Sequence, residues 1–561
     1  MRITFLILLL CTASLTALGQ QQNNPSLDAA YKLIDAYVAR QMKSEQIPGL
    51  TLAITDRQGL LRVSTYGYAD VKAKKPMAPD TLFEIGSISK SFTAISLLQL
   101  REQGKFDPQQ PITGYLPWFS VHSPYRPITG HDVMTHTAGL PRDRDDIPSS
   151  LYQAAGVRDR WVGYEPGKYF AYSNVGYQIM GYLLQEITGR PYAEAVRAHI
   201  LQPLGMDHSD AVFTDDTYKR LAVGYSPLYD DRPYNPAEPL IPAAWQEYAS
   251  GDGSIVSTAP DLAAYLRMLL NHGTGPNGRI ISEESWKLLT QKAVRVPGEE
   301  TTWYGYGIFS REVEGHRYIG HSGGMIGYST RMEGDLDSGL GVVALENAPL
   351  GPDDIASFAL EAVRAASEDK SLPALPEEAP VVKDAADYAG TYAAADGRKF
   401  TISNDGGQVA LDYQGNKVTL EPRGPDSFFV DQPEFALFDL RFGRDKGKVV
   451  EAFYGGQWFT NERYLGLRQF PSPPLWASYV GHYRAAHPWF NNFRIVLRKG
   501  KLWLIGPEGE EMTLTPMPGG YFAAAGEGRP ARERITFDTP VHGKTLRATL
   551  SGLAYYRTFT P

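Results

Sequence analysis

Residues 83–93 read Phe-Glu-Ile-Gly-Ser-Ile-Ser-Lys-Ser-Phe-Thr, a glycine-led turn that runs directly into a segment with helical apolar spacing. Ser87 therefore lies at or near a helix N-terminus, and Lys90 follows three residues later on the same face. A serine hydroxyl becomes a good nucleophile only when a base takes its proton. The free N–H groups of a helix start also favour negative charge that develops beside it. The pair predicts a nucleophilic serine with an amine beside it.

Spacing alone is weak evidence, because a helix cap followed by a solvated lysine has the same form. The segment Ser367-Glu368-Asp369-Lys370 also fits Ser-x-x-Lys. It ends a helical stretch in a charged linker, where the helix dipole has the wrong sign for an anion, so we interpret it as chance. A choice between the two interpretations of Ser87 needs further motifs.

Length and composition limit the class of protein. The chain has 561 residues, too many for one ordinary core, so two to four domains are expected. An apolar content of 43% is typical of globular proteins. The net charge of −8, with no long basic run, argues against a nucleic-acid-binding function.

The first residues resemble an export signal. Met1-Arg2 opens an apolar run that is followed by small residues, which predicts a signal peptide over residues 1–19 and a periplasmic or extracellular protein. The run is too short for a membrane span, and no other segment looks transmembrane. The single cysteine, Cys11, lies inside it, so disulfides and cysteine-based metal sites are not expected. Leu10 precedes Cys11 where a lipoprotein signal has a small residue, which argues against a lipid anchor.

Two features could be mistaken for a metal or phosphate site. His131 and His136 lie in one short segment, but no third ligand follows at a suitable spacing. The glycine-rich turn at residues 251–258 lacks the lysine and the spacing of a P-loop. We interpret both as structural and predict neither a metal nor a cofactor.

Two further motifs carry chemistry. Tyr172-Ser173-Asn174 is the only Tyr-x-Asn in the chain and precedes a buried-looking helix, so the segment is either a helix cap or part of a site. A phenol acts as a base only if nearby cations lower its pKa from about 10, and Lys90 is such a cation. His321-Ser322-Gly323-Gly324 follows strand signals, and its glycines either form a bulge or let a substrate backbone approach the strand edge.

These three motifs, in this order, resemble the serine β-lactamase and penicillin-binding-protein superfamily, in the branch of class C β-lactamases, D-Ala-D-Ala carboxypeptidases and D-aminopeptidases. The flanking text at residues 135–141, 203–206 and 339–343 is also similar. The resemblance covers residues 26–367. It implies an α+β catalytic domain, an antiparallel sheet flanked by helices plus a helical subdomain, with the site between them.

The resemblance also implies roles for single residues. Ser87 would be the nucleophile, and Lys90 and Tyr172 would share proton transfer. Asn174 would orient the substrate and Lys90. The backbone N–H groups of Ser87 and Gly324 would form the oxyanion hole, in which one donor is typically worth about 10²–10³ in rate.

One motif departs from the family pattern. His321, Ser322 and Gly323 stand where many members have Lys-Thr-Gly, and the strand that carries them would form one wall of the site. A lysine is a fixed cation for a substrate carboxylate, whereas a histidine with a pKa near 6.5 titrates. We expect His321 to face the substrate with a titratable charge, beside Ser322 and Gly323 as substrate-binding residues. The departure favours D-aminopeptidases and related esterases or amidases over β-lactam hydrolysis.

A duplicated module follows the catalytic region. Residues 368–385 are acidic and proline-rich and read as a linker. Beyond it, Tyr388-Ala389-Gly390-Thr391-Tyr392 is echoed by Tyr479-Val480-Gly481-His482-Tyr483, and later segments repeat in the same order. We predict two all-β, barrel-like modules at residues 386–468 and 475–561, similar to the lipocalin-like barrels of D-aminopeptidases.

The sequence therefore predicts a secreted serine hydrolase that forms an acyl-enzyme on Ser87. Its substrate would be a small amide, peptide or ester, and the family and compartment favour D-amino-acid peptides of the cell wall. Two alternatives stay open. One is a catalytically weak sensor or binding protein that uses its β-modules, and the other is a carboxylesterase.

Overall fold

The computed structural model describes residues 25–143, 150–245, 248–376, 382–487, 489–526 and 528–558. The predicted signal at residues 1–19, Cys11 included, lies outside them. In these described ranges, no helix combines the length and the apolar character that crossing a membrane requires.

The α-helices lie in the N-terminal two thirds of the chain. Across the ranges given above they are α1 Pro25–Ser44, α2 Ser89–Glu102, α3 Gly130–Met134, α4 Ser150–Gly156, α5 Asn174–Thr188, α6 Tyr192–Val196, α7 Gln202–Leu204, α8 Asp215–Tyr218, α9 Ala259–Leu270, α10 Glu283–Leu289 and α11 Asp353–Ser367.

The strands of the same part of the chain are β1 Gly49–Thr55, β2 Leu60–Asp70, β3 Lys75–Pro76, β4 Phe83–Glu84, β5 Tyr225–Pro227, β6 Leu240–Pro242, β7 Val256–Ser257, β8 Thr274–Gly275, β9 Gly278–Arg279, β10 Val294–Arg295, β11 Thr302–Tyr304, β12 Phe309–Val313, β13 His316–Met325, β14 Tyr328–Asp335 and β15 Gly341–Glu346. Nine of them form one antiparallel sheet in the order β10-β11-β12-β13-β14-β15-β1-β2-β3.

Helices cover both faces of this sheet. Every residue of β1 is buried, because the strand is covered on both faces. Leu50, Leu52 and Ile54 pack toward α1 and α11, and Ala53 packs on the opposite face. Tyr37 of α1 stacks on Phe358 of α11 with ring centroids 4.2 Å apart. The second face packs on α9 and the helical subdomain around α2 and α5, where Leu266 is wholly buried. The predicted α+β class and the predicted antiparallel sheet between helices are confirmed.

Two all-β modules follow. The first contains β16 Gly390–Ala393, β17 Lys399–Asp405, β18 Gln408–Tyr413, β19 Asn416–Thr419, β20 Glu421–Gly424, β21 Ser427–Phe429, β22 Leu440–Asp445, β23 Lys448–Tyr454 and β24 Gln457–Thr460. The second contains β25 Gly481–Arg484, β26 Asn492–Arg498, β27 Lys501–Ile505, β28 Glu511–Met517, β29 Tyr521–Ala525, β30 Glu533–Phe537, β31 Arg547–Leu550 and β32 Leu553–Arg557.

The modules share a plan and differ in closure. The first is a nine-stranded antiparallel sheet in the order β19-β18-β17-β16-β24-β23-β22-β21-β20, and the second is a closed eight-stranded barrel. Each repeat tyrosine pair makes the same contact: Tyr392 Oη donates to the carbonyl of Tyr388 at 2.8 Å, and Tyr483 Oη donates to that of Tyr479 at 2.7 Å. The barrel-like character predicted for both modules is confirmed, and the sequence repeat is also a structural repeat.

The second barrel is joined to the catalytic domain through the connection between β5 and β6. Arg484 pairs with Asp230 at 2.5 Å, and Arg494 pairs with Asp231 at 2.9 Å. Asn492 Nδ2 donates to the Asp230 carbonyl at 2.7 Å. Because Arg494 and Asp231 are only 10% and 18% exposed, this contact holds the barrel in a defined position.

Candidate active site

Ser87 lies in a 3₁₀ turn, Gly86–Ile88, that leads into α2. It is the one partly exposed residue in an otherwise buried run from residue 81 to 90. Gly86 has a φ of +52°, and a β-carbon there would lie 2.7 Å from Gly324 O and 2.8 Å from Gly324 N. Glycine is therefore required, because only the absence of a side chain brings the turn against β13.

The amine of Lys90 lies beside the serine. Lys90 is wholly buried, and its Nζ lies 2.9 Å from Ser87 Oγ and 2.9 Å from the carbonyl oxygen of Asp252. It also lies 4.9 Å from the ring centroid of Tyr172 and 5.8 Å from that of Tyr177. Among the described residues, no carboxylate forms an ion pair with Lys90 within 4 Å. The neighbours of the amine are instead the Ser87 hydroxyl, the Asp252 carbonyl and the two tyrosine rings.

A buried carboxyl group beneath Lys90 was not expected from the sequence. The side chain of Asp252 accepts from Tyr248 Oη at 2.8 and 3.0 Å and contacts Gln178 Nε2 at 3.4 Å. Burial raises the pKa of Asp252, and the positive charge of Lys90 opposes that shift. The only signal in the sequence was the glycine-rich turn that contains it. The turn supplies both a backbone acceptor and a nearby acidic group to Lys90.

Tyr172 and Asn174 approach the site from the start of α5. The Tyr172 hydroxyl is buried and has no hydrogen-bond partner among the described atoms. Asn174 Nδ2 donates to Asp143 Oδ1 at 2.6 Å, while its Oδ1 is buried and unpaired, so Asn174 makes no direct contact with Lys90. The helix cap comes from Ser173, whose Oγ accepts from the N–H of Gly176 at 3.2 Å.

His321 lies in β13 on the opposite wall and is only 2% exposed. Its Nδ1 lies 2.5 Å from the carbonyl oxygen of Ser322, and its Nε2 lies 3.0 Å from Tyr304 Oη. Since a carbonyl can only accept, Nδ1 carries the proton and Nε2 accepts from Tyr304. Burial, and next the charge of Lys90, lower the pKa of His321 to about 3. The expectation of a charge that titrates near neutrality is therefore wrong.

The glycines after His321 line the mouth of the site. Gly323 is buried against the carbonyl of Ile85, to which Thr330 Oγ1 also donates at 3.1 Å. Gly324 is exposed, and a β-carbon built on it would meet nothing within 4 Å. Ser322 is partly exposed. The strand edge is thus open where a substrate backbone would lie, next to Ser87.

The two histidines of the 131–136 segment lie in separate environments. His131 Nδ1 lies 2.8 Å from Tyr306 Oη, and His136 Nδ1 accepts from the N–H of Ser173 at 3.1 Å. Burial and the charge of Lys90 hold the pKa of His136 well below its usual value. His136 is therefore a neutral part of the aromatic floor, 4.2 Å from the Tyr172 ring.

One cluster among the described residues has the atoms of a cation site, namely His316, Asp335 and Asp337. It lies at the far end of β13. Arg317 pairs with Asp337 at 2.7 Å, and Arg364 lies 3.8 Å from Asp335. These cations already neutralise the carboxylates, so the cluster is an ion-pair network.

The second barrel reaches the site. An Arg532 guanidinium nitrogen donates to the carbonyl oxygen of Tyr172. The neighbouring Glu533 accepts from the backbone N–H of Arg142 at 3.0 Å. A β-carbon at Gly163 would lie 2.5 Å from Arg532 Cα, so the two domains are in backbone-level contact here. The sequence placed no residue of the modules at the site, because nothing local marks a contact across 360 residues.

The arrangement places a partly exposed serine against a buried lysine, with a tyrosine and an open strand edge on either side. The Beta-lactamase family profile matches residues 34–366 of this chain, which is more than half of its length. The chain belongs to the beta-lactamase family. Its catalytic region is that of a serine hydrolase in the general sense of the family.

Two relatives are similar to this chain over different shares of its length. Penicillin-binding protein 4* of Bacillus subtilis strain 168 is 26% identical over 451 residues, which are 74% of this chain and 94% of the relative. Protein flp of Staphylococcus aureus strain MW2 is 28% identical over 201 residues, which are 34% of this chain and 40% of flp.

A solved structure shares the fold. The octameric penicillin-binding protein homologue from Pyrococcus abyssi superposes with a TM-score of 0.58 at 24% identity. The match covers 76% of this chain and 99% of the homologue.

Proposed function

We propose that this beta-lactamase family member is an exported hydrolase that forms an acyl-enzyme on Ser87 and cleaves a small amide, peptide or ester. D-amino-acid peptides of the cell wall are the substrates that the proposal favours. The 2.9 Å contact between Lys90 Nζ and Ser87 Oγ is the observation that carries it. Lysine is rarely wholly buried without a function or a charged partner, and here the buried amine lies against a partly exposed hydroxyl.

Acylation begins when Ser87 Oγ attacks the substrate carbonyl carbon. As the new C–O bond forms, the hydroxyl proton passes to the pair of Lys90 and Tyr172, which share proton transfer, and the carbonyl π electrons move onto oxygen. The backbone N–H groups of Ser87 and Gly324 stabilise that oxyanion. The tetrahedral intermediate then expels the leaving amine or alcohol, which takes up a proton as the C–N or C–O bond breaks.

Tyr172 has the position to deliver that proton. Its ring lies 4.9 Å from Lys90 Nζ, and its hydroxyl has no competing partner among the described atoms. Transfer from Lys90 through Tyr172 to the leaving group requires the amine and the hydroxyl to come within hydrogen-bond distance when the substrate binds. In deacylation the same groups work in reverse. They take a proton from a water molecule as it attacks the ester carbon, and a proton returns to Ser87 Oγ as its bond to the acyl group breaks.

Asn174 holds a different place from the expected one. Because its Nδ2 donates to Asp143, we assign it to positioning the segment that carries Tyr172. The neutral state of His321 makes strong carboxylate recognition by that residue unfavourable, which argues for amidase, aminopeptidase or esterase chemistry over β-lactam hydrolysis.

Export is the remaining part of the proposal. It rests on the predicted signal at residues 1–19, which lies outside the described residues, and on the cell-wall substrates of the family that the sequence resembles. Removal of residues 1–19 on secretion, read by N-terminal sequencing of the protein from the periplasm or medium, would support it.

Covalent labelling tests the central claim. Purified protein is treated with a fluorophosphonate probe and with a fluorescent penicillin, and the adduct is mapped by mass spectrometry of peptides. Ser87→Ala removes the proposed nucleophile. Ser367→Ala is the matched control, because Ser367 has the same Ser-x-x-Lys spacing on the exposed end of α11.

We expect an adduct on Ser87 in the unaltered protein and in Ser367→Ala, and none in Ser87→Ala. Turnover of D-amino-acid amides, D-Ala-D-Ala peptides and short esters then ranks the substrates. If folded protein reacts with neither probe, the proposal is wrong and the alternative of a catalytically weak binding protein gains support.

A further inference from the structure

The site as described lacks a cation for a substrate carboxylate. Among the described residues at the nucleophile, Lys90 is hydrogen-bonded to Ser87. Both ring nitrogens of His321 are also hydrogen-bonded, one to Tyr304 and one to the carbonyl of Ser322. We propose that the second barrel supplies the missing cation, and that Arg534 recognises a substrate carboxylate in a cavity between the barrel and residues 161–163. This inference deepens the proposed function and rests on it.

The cavity has a volume of about 330 Å³, and its barrel wall combines small and polar side chains with the larger Met517 and Tyr521. Strand register places Thr515, Ala523 and Arg534 side by side on β28, β29 and β30, on the face opposite the barrel core. Gly163 of the catalytic domain lies across from them. The space exists because alanine, threonine and glycine meet where larger side chains would fill it.

Arg534 is held between two aromatic rings. Its guanidinium carbon lies 4.4 Å from the Trp161 ring centroid and 4.6 Å from that of Tyr521. Trp161 stacks in turn on His122, with ring centroids 5.0 Å apart. A guanidinium that lies against two rings is restrained by them but keeps its N–H donors for a ligand.

No carboxylate of the described chain forms an ion pair with Arg534 within 4 Å, in contrast to its neighbour Arg532. Arg532 pairs with Glu533 at 3.2 Å. Glu533 also accepts from the Arg142 N–H at 3.0 Å and from the Ser551 hydroxyl. The carboxylate of Glu533 is therefore neutralised by its partners, and the positive charge of Arg534 is available to a ligand.

The cavity is close to the catalytic groups. Arg532, which lines it, donates to the carbonyl of Tyr172, and the Tyr172 ring lies 4.9 Å from Lys90 Nζ. Arg532 spans the space between Tyr172 and the cavity, so a peptide bound at Ser87 would reach the cavity if it extended past Tyr172 and along Arg532. The chemistry of the cavity fits a planar carboxylate on a flexible small chain, since Arg binds carboxylate oxygens bidentately.

Matched substrates of increasing length test the proposal. D-alanine peptides of two, three and four residues are prepared with a C-terminal carboxylate and with a C-terminal carboxamide. The ratio of kcat/KM for acid over amide is measured in the unaltered protein, in Arg534→Gln and in Arg534→Lys. Arg529→Gln, at an exposed position of the preceding loop, is the control for lost net charge.

At the length that spans the cavity, we expect an acid-over-amide ratio of about 10 to 100, the range of a charge-assisted hydrogen bond. The ratio should fall to about one in Arg534→Gln and to an intermediate value in Arg534→Lys, since lysine keeps the charge but lacks the planar fork, and it should persist in Arg529→Gln. Equal rates for acid and amide at every length would overturn the inference, as would a ratio that Arg534→Gln leaves unchanged.

A binding measurement separates this inference from the proposed function. Calorimetry of the same acid and amide peptides with Ser87→Ala, and with Ser87→Ala combined with Arg534→Gln, needs no turnover. Tighter binding of the acid that disappears with Arg534→Gln supports the subsite even if the unaltered protein hydrolyses nothing. Rapid turnover with equal binding of both peptides leaves the hydrolase standing and refutes the subsite.

Discussion

The charge state of His321 gives the sharpest prediction for the pH dependence. A histidine with an unperturbed pKa near 6.5 is about 75% charged at pH 6, whereas a pKa of about 3 leaves about 0.1% charged. We therefore infer that His321 stays neutral between pH 5 and 8 and does not attract a substrate carboxylate by charge. We expect the acid-over-amide ratio of kcat/KM to be flat across that range.

The assay uses the longest acid and amide pair, with His321→Gln as the neutral variant that can still accept from Tyr304. A titrating His321 would make the ratio fall by about 10- to 100-fold between pH 5 and 8, with a midpoint near 6.5. We expect superimposable ratio profiles for the unaltered protein and the variant. A falling ratio that disappears in His321→Gln would refute the reasoning.

Acid stability checks the same claim without a substrate. Because the folded-state pKa of His321 lies below its unfolded value, the unfolded chain takes the proton first as the pH falls below about 6.5. Stability is then lost by up to about 1.4 kcal/mol per pH unit until the folded pKa near 3 is reached. On acidification from pH 7 to 4.5, the thermal midpoint of the catalytic domain should fall less in His321→Gln.

Four other substitutions have defined outcomes. Gly86→Ala should lower kcat by about 10²–10³, because its β-carbon would displace the nucleophile turn from Gly324. Gly104→Ala is the control: Gly104 also has a positive φ, but a β-carbon there meets open space, so this variant should keep its activity. Lys90→Ala and Tyr172→Phe should each lower kcat by about 10²–10⁴ with the fold retained, and near-normal turnover would remove that residue from proton transfer. Arg532→Gln should lower kcat/KM about tenfold, because it removes the hydrogen bond to the Tyr172 carbonyl. Circular dichroism and the thermal midpoint check that the barrel of this variant stays folded.

The resemblance to the family predicted the framework of the catalytic domain, and local pattern predicted the nucleophile segment. The glycine-led turn and the apolar spacing after it indicated the 3₁₀ turn and the helix that became α2. Ser87 and Lys90 were predicted to face each other because a spacing of three residues at a helix start is a purely local relation. The tyrosine pairs of the two modules were visible for the same reason, as a repeat of a local contact.

Long-range environments were not predictable in the same way. The sequence gives His321 its residue type but not its burial, which depends on Tyr304 from another strand and on Lys90 from α2. Asp252 was similarly hidden, because its partners Tyr248 and Gln178 come together only in the folded domain. A pKa depends on desolvation and on neighbouring charges, and neither is encoded in a motif.

The position of the second barrel shows why the modules belong to the catalytic unit. Asp230 and Asp231 anchor the barrel to the connection between β5 and β6, and the base of that connection packs on the turn after β13, where a β-carbon at Gly327 would lie 2.7 Å from Ala243. That turn directly follows Gly324. The barrel therefore contacts one wall of the site directly, at Tyr172 through Arg532, and is linked to the turn after β13 indirectly, through the connection between β5 and β6. A shift of the barrel that broke the buried pair of Arg494 and Asp231 would leave charges unpaired, so the site geometry and the barrel position are stabilised together.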